Sequence, residues 1–154
     1  MQSVHYDLNT LAKSLKLASV DMIRTPKTEI ESHWYRSDGP ADLFFWVRGG
    51  RLVKHQLNLY GQIIEWNEYD GIKTGYVQEE DFQDGDDVTE MVCFDRQPNP
   101  FVTQKAVEFL DQAQAIDKVT REAIEVHYRS FFRWDRLPGA GVIRWFRKLL
   151  AKAS

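Results

Sequence analysis

Two dipeptides constrain this chain more than any other feature. Gly49-Gly50 and Asp70-Gly71 each stand between runs in which apolar and polar residues alternate with a period of two. A tight hairpin needs positive φ at its centre, a region that glycine enters at little cost and aspartate or asparagine tolerates. Gly61-Gln62 is a weaker signal of the same kind, and Asp38-Gly39-Pro40-Ala41 reads as a longer loop. Four turns then join about five strands, at 29–37, 42–48, 51–60, 63–69 and 72–79, into an antiparallel meander.

The period is different on either side of that ribbon. Leu8, Leu11, Leu15, Ala18 and Met22 recur at steps of three and four, which predicts a helix capped by Asp7 and ended before Pro26. The segment 88–95, VTEMVCFD, is apolar in both parities and reads as a short, well-buried strand. Asn99-Pro100 has the form of a helix start, a capping side chain followed by proline at the first helical position. Phe101, Val102, Ala106, Phe109, Leu110, Ala113 and Ile116 give that helix a core stripe. A second helix, over about 119–133, carries Ala123, Ile124, His127, Tyr128, Phe131 and Phe132. A third is expected after Leu137-Pro138-Gly139-Ala140-Gly141. Helix, strands, then helices without βαβ alternation is an α+β order. The expectation is one globular domain over 1–154, a meander of about five strands preceded by one helix and followed by about three.

Size and composition agree with a folded domain. A chain of 154 residues with 43% hydrophobic and 28% charged side chains can bury its own core and lacks the signature of disorder. A net charge of −3 argues against general nucleic-acid binding, which relies on a basic footprint. The single cysteine, Cys93, excludes an internal disulfide. The first fifteen residues lack the basic flank and apolar core of a secretory signal, and no run is long enough to span a bilayer. A cytoplasmic location is the expectation from these features.

Counting cross-strand partners outward from the turns assigns each residue to a face. From Gly49-Gly50, Trp46 pairs with Val53, Phe44 with His55 and Asp42 with Leu57. From Gly61-Gln62, Leu59 pairs with Ile64, Leu57 with Trp66 and His55 with Glu68. From Asp70-Gly71, Glu68 pairs with Lys73 and Ile64 with Val77. One face is then Phe44, Trp46, Val53, Leu57, Leu59, Ile64, Trp66 and Val77, a core face. The other carries Gln56, Asn58, Glu65, Asn67, Thr74 and Tyr76, flanked by Tyr60 and Tyr69, with Leu43, Phe45 and Val47 at one edge. Neutral amides beside tyrosines combine adaptable hydrogen bonding with rigid aromatic area, the chemistry of interaction surfaces.

Signals for catalysis are sparse. His55, Glu68 and Lys73 line up in this register, and an imidazole held by a carboxylate is the usual setting of a general base, yet no nucleophile stands beside them. The histidines at 5, 33, 55 and 127 show neither an i,i+4 pair nor HExxH, so no metal site is expected. The acidic run from Glu79 to Glu90 departs from the EF-hand pattern and reads as a solvated loop. Cys93, between Val92 and Phe94, reads as a small buried hydrophobe. GxGxxG, GxxxxGK[ST] and GxSxG are all missing from the chain.

The C-terminal stretch is the most suggestive. Residues 133–154 carry six Lys/Arg and one Asp, a net of +5, which leaves −8 for residues 1–132. Val142, Trp145, Phe146, Leu149 and Leu150 share one helical side and Arg144, Arg147, Lys148 and Lys152 lie mostly on the other. Such a helix packs on its own domain, docks in a partner's groove, or lies on an anionic membrane through residues 140–154. The reading is a non-enzymatic protein-interaction module (adaptor, regulator or dedicated chaperone) that needs no cofactor. Its contacts would come from Gln56, Asn58, Tyr60, Glu65, Asn67 and Tyr69 on the sheet, and from Arg144, Trp145, Phe146 and Arg147 at the C-terminus. The alternative is a small-molecule binder or enzyme whose pocket uses His55 with Glu65 or Glu68.

Overall fold

A computed structural model of the chain describes residues 7–80 and 89–135. Helix α1 (Leu8–Lys13) opens the chain, capped by Asp7, whose carboxylate accepts from the Thr10 amide at 2.9 Å. Seven strands follow: β1 (Lys16–Arg24), β2 (Glu29–Arg36), β3 (Ala41–Arg48), β4 (Arg51–Leu59), β5 (Gln62–Asn67), β6 (Gly71–Glu80) and β7 (Thr89–Phe94). They form one antiparallel sheet in chain order, every strand pairing only with its neighbours in sequence. Helices α2 (Pro100–Gln112) and α3 (Lys118–Asp135) complete the described structure. The class is α+β as expected, with seven strands rather than about five. The segment expected to form a third C-terminal helix lies outside the described residues.

The three described helices lie against one face of the sheet. Leu11 and Leu15 from the N-terminal segment, Val102, Ala106, Phe109 and Leu110 from α2, and Ile124 and Tyr128 from α3 share one core with Ala41, Leu43, Phe45, Leu57, Leu59 and Ile64. Asn99 caps α2 as its sequence implies, its side chain accepting from the amides of Phe101 and Val102. The Asn99 amide in turn donates to the Thr74 hydroxyl at 2.8 Å, and that hydroxyl donates to Asp95 at 2.6 Å, which fixes the start of α2 against β6.

Three sequence expectations fail here, each for a local reason. The stripe Leu8 to Met22 is helical only as far as Lys13; Ser14 caps the helix and Lys16 begins an extended strand. A bulge at Ala18 shifts the register between Leu17 and Ser19, so Leu17 and Val20 both pair with residues of the helix-covered face. That gives a strand the three-residue spacing of a helix. The second hairpin turns at Tyr60-Gly61, with φ of 53° and 78°, because the structure holds a tyrosine in the left-handed region that turn statistics reserve for glycine and asparagine. The third turn is longer than two residues: Asn67 pairs with Gly71 around Glu68, Tyr69 and Asp70.

The largest consequence comes from a second bulge. Val47 pairs with Leu52 but Trp46 pairs with Lys54, which leaves Val53 inserted between them. Beyond it Phe45, not Phe44, faces His55, and Leu43 faces Leu57. A shift of one residue exchanges the faces of a strand. Leu43, Phe45 and Val47 therefore belong to the core, whereas Phe44, Trp46 and Val53 stand on the opposite face. Leu57, Leu59, Ile64 and Trp66 keep their expected side. Lengthening of the third turn likewise moves Thr74 and Tyr76 to the helix side, since Thr74 pairs with Ile64 and Tyr76 with Gln62, and takes Val77 off it. His55 pairs with Trp66 rather than Glu68, so the row His55, Glu68, Lys73 does not form. Among the described residues strand β7 is a sheet edge, with Met91, Val92 and Phe94 exposed, not a buried strand.

Candidate interaction face

The sheet face that α1, α2 and α3 leave uncovered begins with Trp34 on β2. Trp34 pairs with Phe44, and Trp46 lies two residues further along β3. Their rings stack, Trp34 on Phe44 at 5.6 Å and Phe44 on Trp46 at 6.2 Å between centroids. Cations close both ends of the row: the Arg36 guanidinium lies 5.1 Å from the Trp34 ring and the Lys54 ammonium 5.2 Å from the Trp46 ring. Stacked rings offset one another's quadrupoles, and a terminal cation meets the negative ring face. Asp42 ties the first end, accepting from the Trp34 indole N–H at 2.9 Å and facing Arg36 at 3.4 Å. Glu65 ties the second by pairing with Lys54 at 3.1 Å.

The polar residues expected on this face lie beside the aromatic row. Gln56 pairs with Phe44 on one side and Glu65 on the other; Asn58 pairs with Asp42 and Ile63; Asn67 pairs with Lys54. Their roles differ. The Asn58 side chain accepts from the Gly61 amide at 3.1 Å and so belongs to the turn. Asn67 accepts from the amides of Tyr69 and Asp70, which shapes the β5–β6 loop. Tyr60 stands exposed at its turn and Tyr69, 84% exposed, projects from the loop tip. Arg144, Trp145, Phe146 and Arg147 lie outside the described residues, as does residue 140–154 membrane contact and most of the acidic run.

At the β3–β4 turn end this face deepens into a cleft of about 610 Å³. Ile30, Trp46 and Val53 supply its apolar lining, and Arg48, Lys54, Asn67, Glu68, Tyr69 and Asp70 its polar rim. The inserted Val53 is what brings an apolar side chain here. Glu68 receives Arg48 at 2.6 Å and Arg51 at 2.8 Å, so one carboxylate joins the β3–β4 turn to the β5–β6 loop and closes one wall. Its partners, first the Tyr69 hydroxyl and then Glu68, hold the Arg48 guanidinium above its ordinary pKa. Asp70 sits below the usual carboxylate range because Lys73 hydrogen bonds to it at 2.7 Å.

The histidine of the alternative reading is elsewhere. His55 is fully buried on the helix side, its Nδ1 3.0 Å from the Tyr128 hydroxyl and its Nε2 3.0 Å from His127 Nδ1. His127 stacks on Trp66 with centroids 3.5 Å apart. One proton arrangement satisfies every group: Tyr128 O–H donates to His55 Nδ1, and His55 Nε2–H donates to His127 Nδ1. Burial pushes both imidazoles down, His55 the further, with the neighbouring His127 adding to it. Burial also pushes the Tyr128 phenol well up. His55 and Tyr128 are buried side chains that satisfy one another, with His127 half-buried beside them. Glu65 stands on the opposite face and Glu68 is held by two arginines, so neither reaches His55. Among the described residues no group of three or more His, Cys, Asp or Glu is placed to hold a metal ion, and no helix is long and apolar enough to cross a membrane.

Comparison with protein families, with characterised proteins and with solved structures finds no match to this chain.

Counting from the turns missed Trp34, Phe44, Trp46, Arg48 and Lys54 as members of the face. The bulge at Val53 carries no turn residue to announce it. Trp34 lies in IESHWYR, where both parities are half-buried and neither face reads as the wet one.

Proposed function

We propose that this chain is a non-enzymatic binding module, an adaptor, regulator or dedicated chaperone, that recognises a partner protein with the sheet face that α1, α2 and α3 leave uncovered. The observation that carries the reading is the cleft beside Trp46. It has the volume of a small-ligand or side-chain pocket, an apolar floor and polar groups on its rim, on a face that none of the described helices covers. Anchors of protein interfaces are tryptophans and arginines seated in such recesses with a polar rim, which suits Trp46 and Arg48. The rigid row from Arg36 to Lys54 lowers the ordering cost of binding, because its side chains are already held.

The test is capture from native lysate by the full chain, compared with Trp46→Ala and with Lys118→Glu on the outer surface of α3 as a control. The reading expects a protein bound near one-to-one by the parent and the control and lost from Trp46→Ala, with unchanged far-UV circular dichroism in all three. Equal capture by Trp46→Ala would move recognition off this face, and capture of nothing by the parent would remove the reading.

A further inference from the structure

Strand β1 is the outermost strand of the sheet, and among the described residues no strand pairs with its outer side. It runs for nine residues without proline and exposes Leu17, Val20, Met22 and Ile23, each close to half. A long, apolar edge with unpaired backbone groups is a template for another strand. We propose that β1 pairs with β1 of a second copy of this chain, about a two-fold axis passing between Ala18 and Ser19, to give one continuous sheet. This surface is separate from the Trp46 cleft and does not rest on the function proposed for it.

The register follows from charge and from the bulge. An antiparallel pairing of two identical strands about that axis sets Lys16 opposite Asp21 of the partner, Leu17 opposite its Val20, and Ala18 opposite its Ser19, each contact occurring twice. Cross-strand partners must share a face. Lys16 pairs with Arg36 and Asp21 with Ser32, both on the side that the described helices leave uncovered, while Leu17 pairs with Tyr35 and Val20 with His33, both on the helix side. Lys16 and Asp21 thus share one face and Leu17 and Val20 the other. In a regular strand neither pair could do so, since their members lie an odd number of residues apart; the bulge at Ala18 removes the mismatch.

Neighbouring registers do worse. An axis through Asp21 opposes two carboxylates, and an axis through Val20 sets the cations Lys16 and Arg24 opposite one another. The other edge offers less: β7, TEMVCF, has Glu90 as its only charged residue, so self-pairing there brings no opposite charges together. Lys16 now meets Asp38 at 3.1 Å with both side chains largely exposed, a contact weak enough to share its ammonium. Among the described residues no cation pairs with Asp21, whose carboxylate accepts only from the Ser19 hydroxyl at 3.4 Å. Charges and bulges also serve as guards that keep an edge strand unpaired, and the experiment separates the two roles.

The masses of the parent, Asp21→Lys, Lys16→Asp and the double variant Lys16→Asp/Asp21→Lys would be measured by light scattering and sedimentation across a dilution series. Both sites are exposed, and circular dichroism checks that each variant folds. The expected result is a dimeric parent, single variants whose dimer dissociates at least about tenfold more readily through like-charge opposition, and recovery in the double variant. A parent that is monomeric throughout assigns Lys16, Asp21 and the bulge to edge protection and overturns the proposal. So does a dimer that the single variants leave intact, or one that the double variant fails to restore.

Discussion

On one side of β4, Leu57 and Leu59 share a core with Leu11, Phe109 and Leu110 from the helices; on the other, Lys54 and Gln56 lie beside rings from the neighbouring strand. The first side is closed by residues that arrive from distant parts of the chain. The second is closed by its own residues, laid side by side across β2, β3 and β4 and finished with a cation at each end. A helix excludes water from a sheet, whereas a stacked row leaves its upper edge in contact with it. One sheet therefore has a face packed by the described helices and a face whose aromatic row stays half-buried.

That contrast can be broken by experiment. Phe109→Ala should cost about 3–5 kcal/mol in urea unfolding, because it empties a fully buried position among aliphatic neighbours. Phe44→Ala should cost about 1–2 kcal/mol, from lost stacking at a half-buried position. Equal losses would mean that the row is as much a core as the helix side. Tyr128→Phe should cost about 1–3 kcal/mol, since it strips the donor from buried His55 Nδ1 and nothing else described reaches that nitrogen; a loss below the error of chemical denaturation would refute the proton arrangement given above.

Acid should act on the helix side as well. The folded chain holds His55 and His127 below their ordinary value of 6.5, so the unfolded chain takes up protons first as pH falls. Their contribution is complete above that value and declines below it, by about 1 kcal/mol per pH unit for the buried His55. Denaturation curves at pH 7.5 and pH 5.5 would show it, and stability that rose on acidification would contradict it. Asp42→Asn, at the end of the aromatic row, should cost about 1 kcal/mol or less, because its partner Arg36 is exposed. A larger loss in thermal unfolding would show that the row depends on its capped ends.

Strand positions 42–48 and 51–59, the glycine turn between them and the Asn99-Pro100 helix start were all legible, because each rests on a local rule of backbone conformation. The faces of β3 were not. Alternation sets Leu43, Phe45 and Val47 against Phe44 and Trp46, two apolar sets of similar bulk, and the choice between them turns on whether one residue is inserted at Val53. An inserted valine is compatible with both strand and bulge, so composition is silent there. The face that the described helices leave uncovered shows the result: Gln56, Asn58, Glu65 and Asn67 are readable as its polar half, while Phe44 and Trp46 are assigned to the wrong side. At β1 the error ran the other way, since a bulge gave a strand the spacing of a helix.

The order of the strands has a mechanical side. Among the described residues every strand is hydrogen bonded only to its neighbours in the chain, so the sheet is a ribbon folded back on itself, each fold short in sequence. Contacts of that kind form quickly, because little loop entropy is lost before each is made. They also open one at a time when the ribbon is drawn from an end. What opposes such peeling is the core that the helices share with β3, β4 and β5, and with it the clasp of Tyr128 and His127 on His55, which joins positions 73 and 72 residues apart. Resistance to pulling would reside in that core and its clasp, while the outer strands could be drawn off and replaced with the centre still closed.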